Sequence, residues 1–93
     1  MGIDKIQIAR KMLLDYLKEQ IALKGITQDQ LSQITGFTQS NISRMLSSKY
    51  SPSLDNFLKL CEAANVYVFI IDKEANEDTA QLMRERWGKI NNN

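Results

Sequence analysis

Residues 27–46 read TQDQLSQITGFTQSNISRML. Two short helical signals sit back to back in this stretch. Thr27 and Gln30 have the spacing of a capping box, and Leu31 and Ile34 give the segment behind them one apolar stripe. Gly36 ends it. Thr38 with Asn41 offers a second start, and Ile42, Met45 and Leu46 line one face of the helix that it opens. Each segment makes about two turns, too few to stand alone because helix nucleation is costly. Both must therefore pack their stripes on neighbours.

The short Gly36-Phe37 connection predicts that the two helices cross steeply, as a helix-turn-helix, with Gly36 supplying a left-handed backbone at the corner. With Ile42, Met45 and Leu46 turned inward, Ser40, Ser43, Arg44 and Ser47 fall on the opposite face of the second helix. Gln39 and Asn41 flank them at its N-terminal end. Solvated helices usually carry Glu and Lys, which propagate a helix better than Ser or Asn. No acid occurs between Asp29 and Asp55, so this face is expected to be free of carboxylates and not to repel phosphate.

Outward from the pair, punctuation divides the rest of the chain. Asp4 with Gln7 opens a first helix whose apolar positions are Ile6, Leu13, Leu17 and Ile21, and Gly25 suits the position just past its end. A loop runs from Ser47 to Pro52. Ser53 caps a further helix carrying Leu54, Phe57, Leu58 and Cys61, which ends near Asn65. Val66-Tyr67-Val68-Phe69-Ile70-Ile71 is β-branched and aromatic and reads as a strand, at about 66–72, apolar on both faces. A charged helix is expected from Asn76 to Trp87, closed by Gly88, with a frayed tail from Ile90 to Asn93.

Composition bounds what such a chain does. Ninety-three residues, 43% of them apolar and 25% charged, suit one modest core and leave little chain to wall off a deep catalytic cleft. The chain has no histidine, which removes the usual general base and metal ligand, and Cys61 lies on an apolar stripe as a core residue. No pattern implies an enzyme, a metal, a cofactor or a small-molecule substrate. The longest apolar run, Val66–Ile71, is too short for a membrane span, the first residues lack a signal-peptide core, and a lone cysteine suits a reducing cytoplasm. Residues 1–50 hold seven bases against four acids, a net +3, whereas residues 51–93 hold five against seven, a net −2.

Residues 13–64, above all GITQDQLSQITGFTQSNISRMLSSKYSPSLDNFLKLCEAAN, resemble the phage-repressor and Cro-like helix-turn-helix family, the XRE family. The resemblance is carried by Thr27-Gln28, Leu31, Ser32, Gly36-Phe37, Ile42-Ser43-Arg44 and Ser51-Pro52-Ser53-Leu54. Ser32 stands where the family most often has alanine; its hydroxyl is expected to bond back to a carbonyl one turn earlier. The fold implied is all-α, a lambda-repressor-like five-helix DNA-binding domain with one C-terminal strand. The family implies that residues 39–47 enter the major groove of double-stranded DNA while residues 28–35 cross the backbone. Candidate DNA-binding residues are then Gln28, Thr38, Gln39, Ser40, Asn41, Ser43, Arg44, Ser47, Lys49 and Tyr50. Gln and Asn can read adenine and Arg can read guanine, while Gln28, Lys49 and Tyr50 suit phosphate.

A strand with two apolar faces and no second strand in the chain needs another chain. The simplest partner is its own copy, so Val66, Tyr67, Val68, Phe69, Ile70 and Ile71 are expected to form a dimer interface. The division is then 1–65 for DNA binding and 66–93 for dimerisation, C-terminal helix and tail. This arrangement resembles antitoxins of the HipB type, and a two-fold dimer implies a palindromic operator. Two functions are compatible with this reading: a transcriptional repressor, or an antitoxin that binds both its operator and a toxin protein.

Overall fold

The computed structural model describes residues 4–47, 49–74 and 78–91, the last five for their backbone only. Among the described residues there are five helices, in chain order α1 (Lys5–Leu23), α2 (Gln28–Thr35), α3 (Gln39–Leu46), α4 (Leu54–Ala63) and α5 (Asp78–Asn91). Two compact units form, one of Arg10–Val68 and one of Met1–Ala9 with Phe69–Asn93.

Local chemistry sets the ends of α1 and α4. Asp4 Oδ1 accepts the Ile6 N–H at 2.9 Å where α1 opens. Gly25 (φ 67°) closes α1: its N–H donates to the Ala22 carbonyl, and the Ile26 N–H reaches back to that of Ile21, each at 3.1 Å. This is a Schellman closure, and its apolar Ile26 packs on the core. The same closure recurs at α4, with Asn65 (φ 59°) as the left-handed residue. There Asn65 N–H donates to Glu62 O at 3.0 Å and Val66 N–H to Cys61 O at 2.9 Å. Lys24 Nζ joins the two closures by donating to the carbonyls of Ala64 at 2.8 Å and Asn65 at 2.7 Å. A cation on the last carbonyls of α4 also suits the helix dipole.

The core of this unit is a cluster of Leu17, Ile21, Leu31, Ile42, Met45, Leu46, Leu60, Cys61 and Ala64. Ile26, Phe37, Phe57, Ala63 and Val66 pack on its margin. Leu31, Ile42 and Leu60 are fully buried, each contributing about 1.5–3 kcal/mol of burial. Burial pushes the Cys61 thiol up from its ordinary range, consistent with a core residue.

Three stripes read from the sequence differ in detail. On α1, Leu14 with Leu17 and Ile21 is buried, whereas Leu13 and Ile6 are exposed. Leu13 lies four and eight residues from the anchored pair and Leu14 three and seven, so both satisfy helical spacing, and it is Leu14 that the packed fold buries. On α2, Ile34 is exposed at 64%, because the inner face is completed by the half-buried Ser32 and Thr35 beside Leu31. On α4, the buried row runs through Phe57, Leu60, Cys61 and Ala64 at i, i+3, i+4 and i+7, which leaves Leu54 and Leu58 outside.

The expected strand at 66–72 is absent: residues 66–72 are irregular, and no strand forms among the described residues. A strand exists only through hydrogen bonds to a neighbour, and no second extended segment of the described chain pairs with this one. Nor does the segment continue α4, which Asn65 closes. Val66 packs on the core, while Tyr67 and Ile70 stand 98% and 99% exposed.

In the smaller unit, Arg84 donates to the Lys73 carbonyl at 2.8 Å and to Gln81 Oε1 at 2.9 Å, and Ala80 is buried. The expected helix start at Asn76 lies outside the described residues, as do the side chain of Trp87 and the last two asparagines. Gly88 does not end α5, which runs on to Asn91. Glycine in a helix interior costs only about 1 kcal/mol, so it interrupts a helix only where a left-handed turn is also stabilised.

Candidate nucleic-acid interface

Side-chain hydrogen bonds build the corner between α2 and α3. Thr27 Oγ1 accepts the Gln30 N–H at 3.0 Å and Gln30 Oε1 accepts the Thr27 N–H at 2.9 Å, so the start of α2 is a complete capping box. At its far end Thr35 Oγ1 donates to the Leu31 carbonyl at 2.7 Å and accepts the Phe37 N–H at 3.1 Å. The Ser32 hydroxyl donates forward to the Phe37 carbonyl at 2.6 Å, not back one turn as its position in a helix suggests. A small hydroxyl on the inner face of α2 thus ties the turn to the helix before it. Gly36 (φ 81°) makes the left-handed step, with nothing within 4 Å of where a Cβ would stand. Gly36→Ala is therefore expected to cost about 1–2 kcal/mol from backbone strain alone, lowering the melting temperature with no change in DNA sequence preference.

Helix α3 is held by that corner and by its own caps. Thr38 Oγ1 accepts the Asn41 N–H at 3.0 Å, and at the other end the Ser47 hydroxyl donates to the Arg44 carbonyl at 2.8 Å. Ile42, Met45 and Leu46 are buried, as their spacing predicts, while Gln39, Ser40, Asn41, Ser43 and Arg44 are exposed on the remaining circumference. Gln28, Thr38, Lys49 and Tyr50 are also exposed, but Ser47 is half-buried and its hydroxyl is occupied in capping. The Arg44 guanidinium lies over the Tyr50 ring, 4.9 Å from its centroid, so a cation–π contact restrains the longest side chain of the row. Among the described residues, no ion pair ties Arg44 or Lys49 to a carboxylate.

The face is not free of acid, although the linear gap between Asp29 and Asp55 suggests it. Gln39 Nε2 donates to Asp29 Oδ1 at 3.2 Å, and Gln33 Nε2 donates to Asp29 Oδ2 at 3.2 Å. The corner folds the first turn of α2 beside the first turn of α3, across ten positions of sequence. No count of charges along the chain could find this contact.

The arrangement can present hydrogen-bonding side chains from a rigid, convex helix, which is the shape a DNA major groove admits. Among the described residues, no group of His, Cys, Asp or Glu could hold a metal ion, and no helix is long and apolar enough to cross a membrane. No curated protein and no solved structure matches the chain. The family model for the helix-turn-helix matches residues 17–70, more than half of the 93, and spans α2, the corner, α3 and α4. A buried row beneath an exposed polar row, on the second helix of that matched pair, accords with it, and the chain belongs to the XRE-type helix-turn-helix family of DNA-binding transcription regulators.

Proposed function

We propose that the protein is a repressor that binds a palindromic operator as a homodimer, with α3 in the major groove of each half-site. The observation that carries this reading is the division of α3 into a buried row, Ile42, Met45 and Leu46, and an exposed row of Gln39, Ser40, Asn41, Ser43 and Arg44. The buried row fixes the helix so that the exposed row meets base edges at little entropic cost. Arg44 reads a guanine, and Gln39 and Asn41 contact bases near the N-terminal end. Gln28 and Thr38, beside helix N-termini, meet phosphates, as do Lys49 and Tyr50 in the loop after α3. Ser47 contributes through its cap on α3.

Dimerisation is supported by the apolar segment 66–71, of which Tyr67, Val68, Phe69 and Ile70 are exposed in the single chain. Antiparallel pairing with a second copy covers those side chains and satisfies the backbone groups that have no ladder. In this reading residues 1–65 bind DNA and residues 66–93 dimerise. A two-fold axis then sets two copies of α3 about 34 Å apart, one turn of DNA.

Selection of bound duplexes from random sequence, followed by titration against salt, tests the reading. A palindromic site should emerge, and its affinity should fall steeply as salt rises. Binding to no duplex at low salt would reject it. Arg44→Ala is expected to cost about 1–3 kcal/mol and to relax preference at one position of each half-site. An equal loss on every sequence would make Arg44 a phosphate contact.

The stretch 72–78, with Asp72, Glu74, Glu77 and Asp78, lies directly after the exposed apolar segment and supports a second reading, an antitoxin. A stoichiometric basic partner co-purifying from the native host would favour it.

A further inference from the structure

We infer that Asp29 is a positioning residue that sets the base preference of Gln39. The inference rests on the reading of α3 as the helix that enters the groove. Both Asp29 oxygens are engaged, Oδ1 by Gln39 and Oδ2 by Gln33, each from an amide nitrogen at 3.2 Å. An ionised carboxylate only accepts hydrogen bonds, so it can hold only the NH2 end of each amide. A free glutamine turns its amide over at will and offers either a donor or an acceptor. Gln39, held by its nitrogen, keeps its Oε1 away from Asp29 as an acceptor, with one N–H left over.

An acceptor turned to the major groove needs an amino group opposite it. Adenine N6 and cytosine N4 supply one there, whereas guanine O6 and thymine O4 are acceptors and can meet only the one N–H that Asp29 leaves over. Asp29 thus converts an ambiguous side chain into a directional one. The start of α2 does not need Asp29 for capping, because Thr27 and Gln30 already complete the box. The position also carries a cost that a purely structural acid far from DNA would not have. A carboxylate beside α3 repels phosphate, lowering affinity for every duplex while sharpening the choice among them.

That opposition of effects makes the test. Asp29→Asn keeps the shape but lets residue 29 offer either an oxygen or a nitrogen to Gln39. Binding should be measured to a set of operator duplexes varied one position at a time and to a random-sequence duplex, with thermal melts alongside. The variant is expected to lose about fivefold or more of the discrimination at one position of each half-site. Its binding to random duplex should tighten by about twofold, with the melting temperature unchanged. Gln39→Ala should lose preference at that same position. If Asp29→Asn keeps every wild-type preference while Gln39→Ala loses one, the inference is overturned and the groove reading survives. A uniform drop in affinity with a lower melting temperature would also overturn it, making Asp29 only a helix-stabilising acid. If wild-type protein binds no duplex at all, the groove reading itself fails.

Discussion

Phe69→Asp is expected to convert a dimer into a monomer and to weaken operator binding by about 10²- to 10⁴-fold. Sedimentation gives the first half of this result and titration of a palindromic duplex the second. The magnitude comes from linkage: once one half-site is bound, a tethered partner meets the other at high effective concentration, and a monomer loses that advantage. Phe69 suits the test because it is 66% exposed in the single chain, so the substitution removes little buried apolar surface from the protomer. In an antiparallel pair the new carboxylates meet a partner strand of like charge and an apolar neighbourhood, both unfavourable. The melting of the Arg10–Val68 unit should change little. A variant that stays dimeric with full affinity would reject pairing through 66–71.

Ile42→Ala is expected to destabilise the protein by about 2–5 kcal/mol, lowering its melting temperature by roughly 10 °C or more in a domain of this size. Ile42 is fully buried at the middle of α3, in one cluster with Leu31 and Leu60. Truncation leaves a cavity that three short helices cannot close without moving the corner between α2 and α3. An eight-residue helix has little stability of its own, so DNA binding should fall along with the melting temperature. Arg44→Ala, on the exposed side of the same helix, should leave the melting temperature in place while altering binding. Calorimetry on both variants separates the role of the inner row from that of the outer one. A shift of only a degree or two for Ile42→Ala would mean that α3 is not clamped through this residue.

Several helix ends were legible because their deciding groups lie within a few residues of each other. Thr27 with Gln30, Thr38 with Asn41, and Ser53 each form the bond that their spacing predicts, the last to the Asn56 N–H at 3.1 Å. Gly25 and Gly36 take the left-handed backbone for which glycine is suited. The inner row of α3 was legible as well, because Ile42, Met45 and Leu46 are its only apolar side chains. Where two rows competed, spacing could not arbitrate. Leu13 or Leu14 on α1, and Leu54 with Leu58 or Phe57 with Leu60 on α4, satisfy helical periodicity equally well. Which row is buried depends on where the neighbouring helices lie.

Three further features depended on more than spacing along the chain. The apolar run 66–71 has strand chemistry, yet a strand is a relation between two segments, and the described residues supply only one. Ser32 invites a bond within its own helix but donates to the corner instead, because the turn brings the Phe37 carbonyl to 2.6 Å. Gly88 resembles a stop but lies inside α5.

The sequence by itself determined that the protein has two short, separately capped helices around Gly36, one of them with a polar face of Gln39, Ser40, Asn41, Ser43 and Arg44. Those features arise from hydrogen bonds and periodicities that act over one or two helical turns. Only the tertiary structure decided that Asp29 meets Gln39 and which apolar rows of α1 and α4 are buried, whereas the Ser47 cap on the Arg44 carbonyl and the Arg44–Tyr50 contact are local ones that helical spacing alone does not reveal. The Asp29–Gln39 contact and the choice of buried row depend on the angle at which packed helices cross, and that angle comes from a core shared by residues as far apart as Leu17 and Ala64.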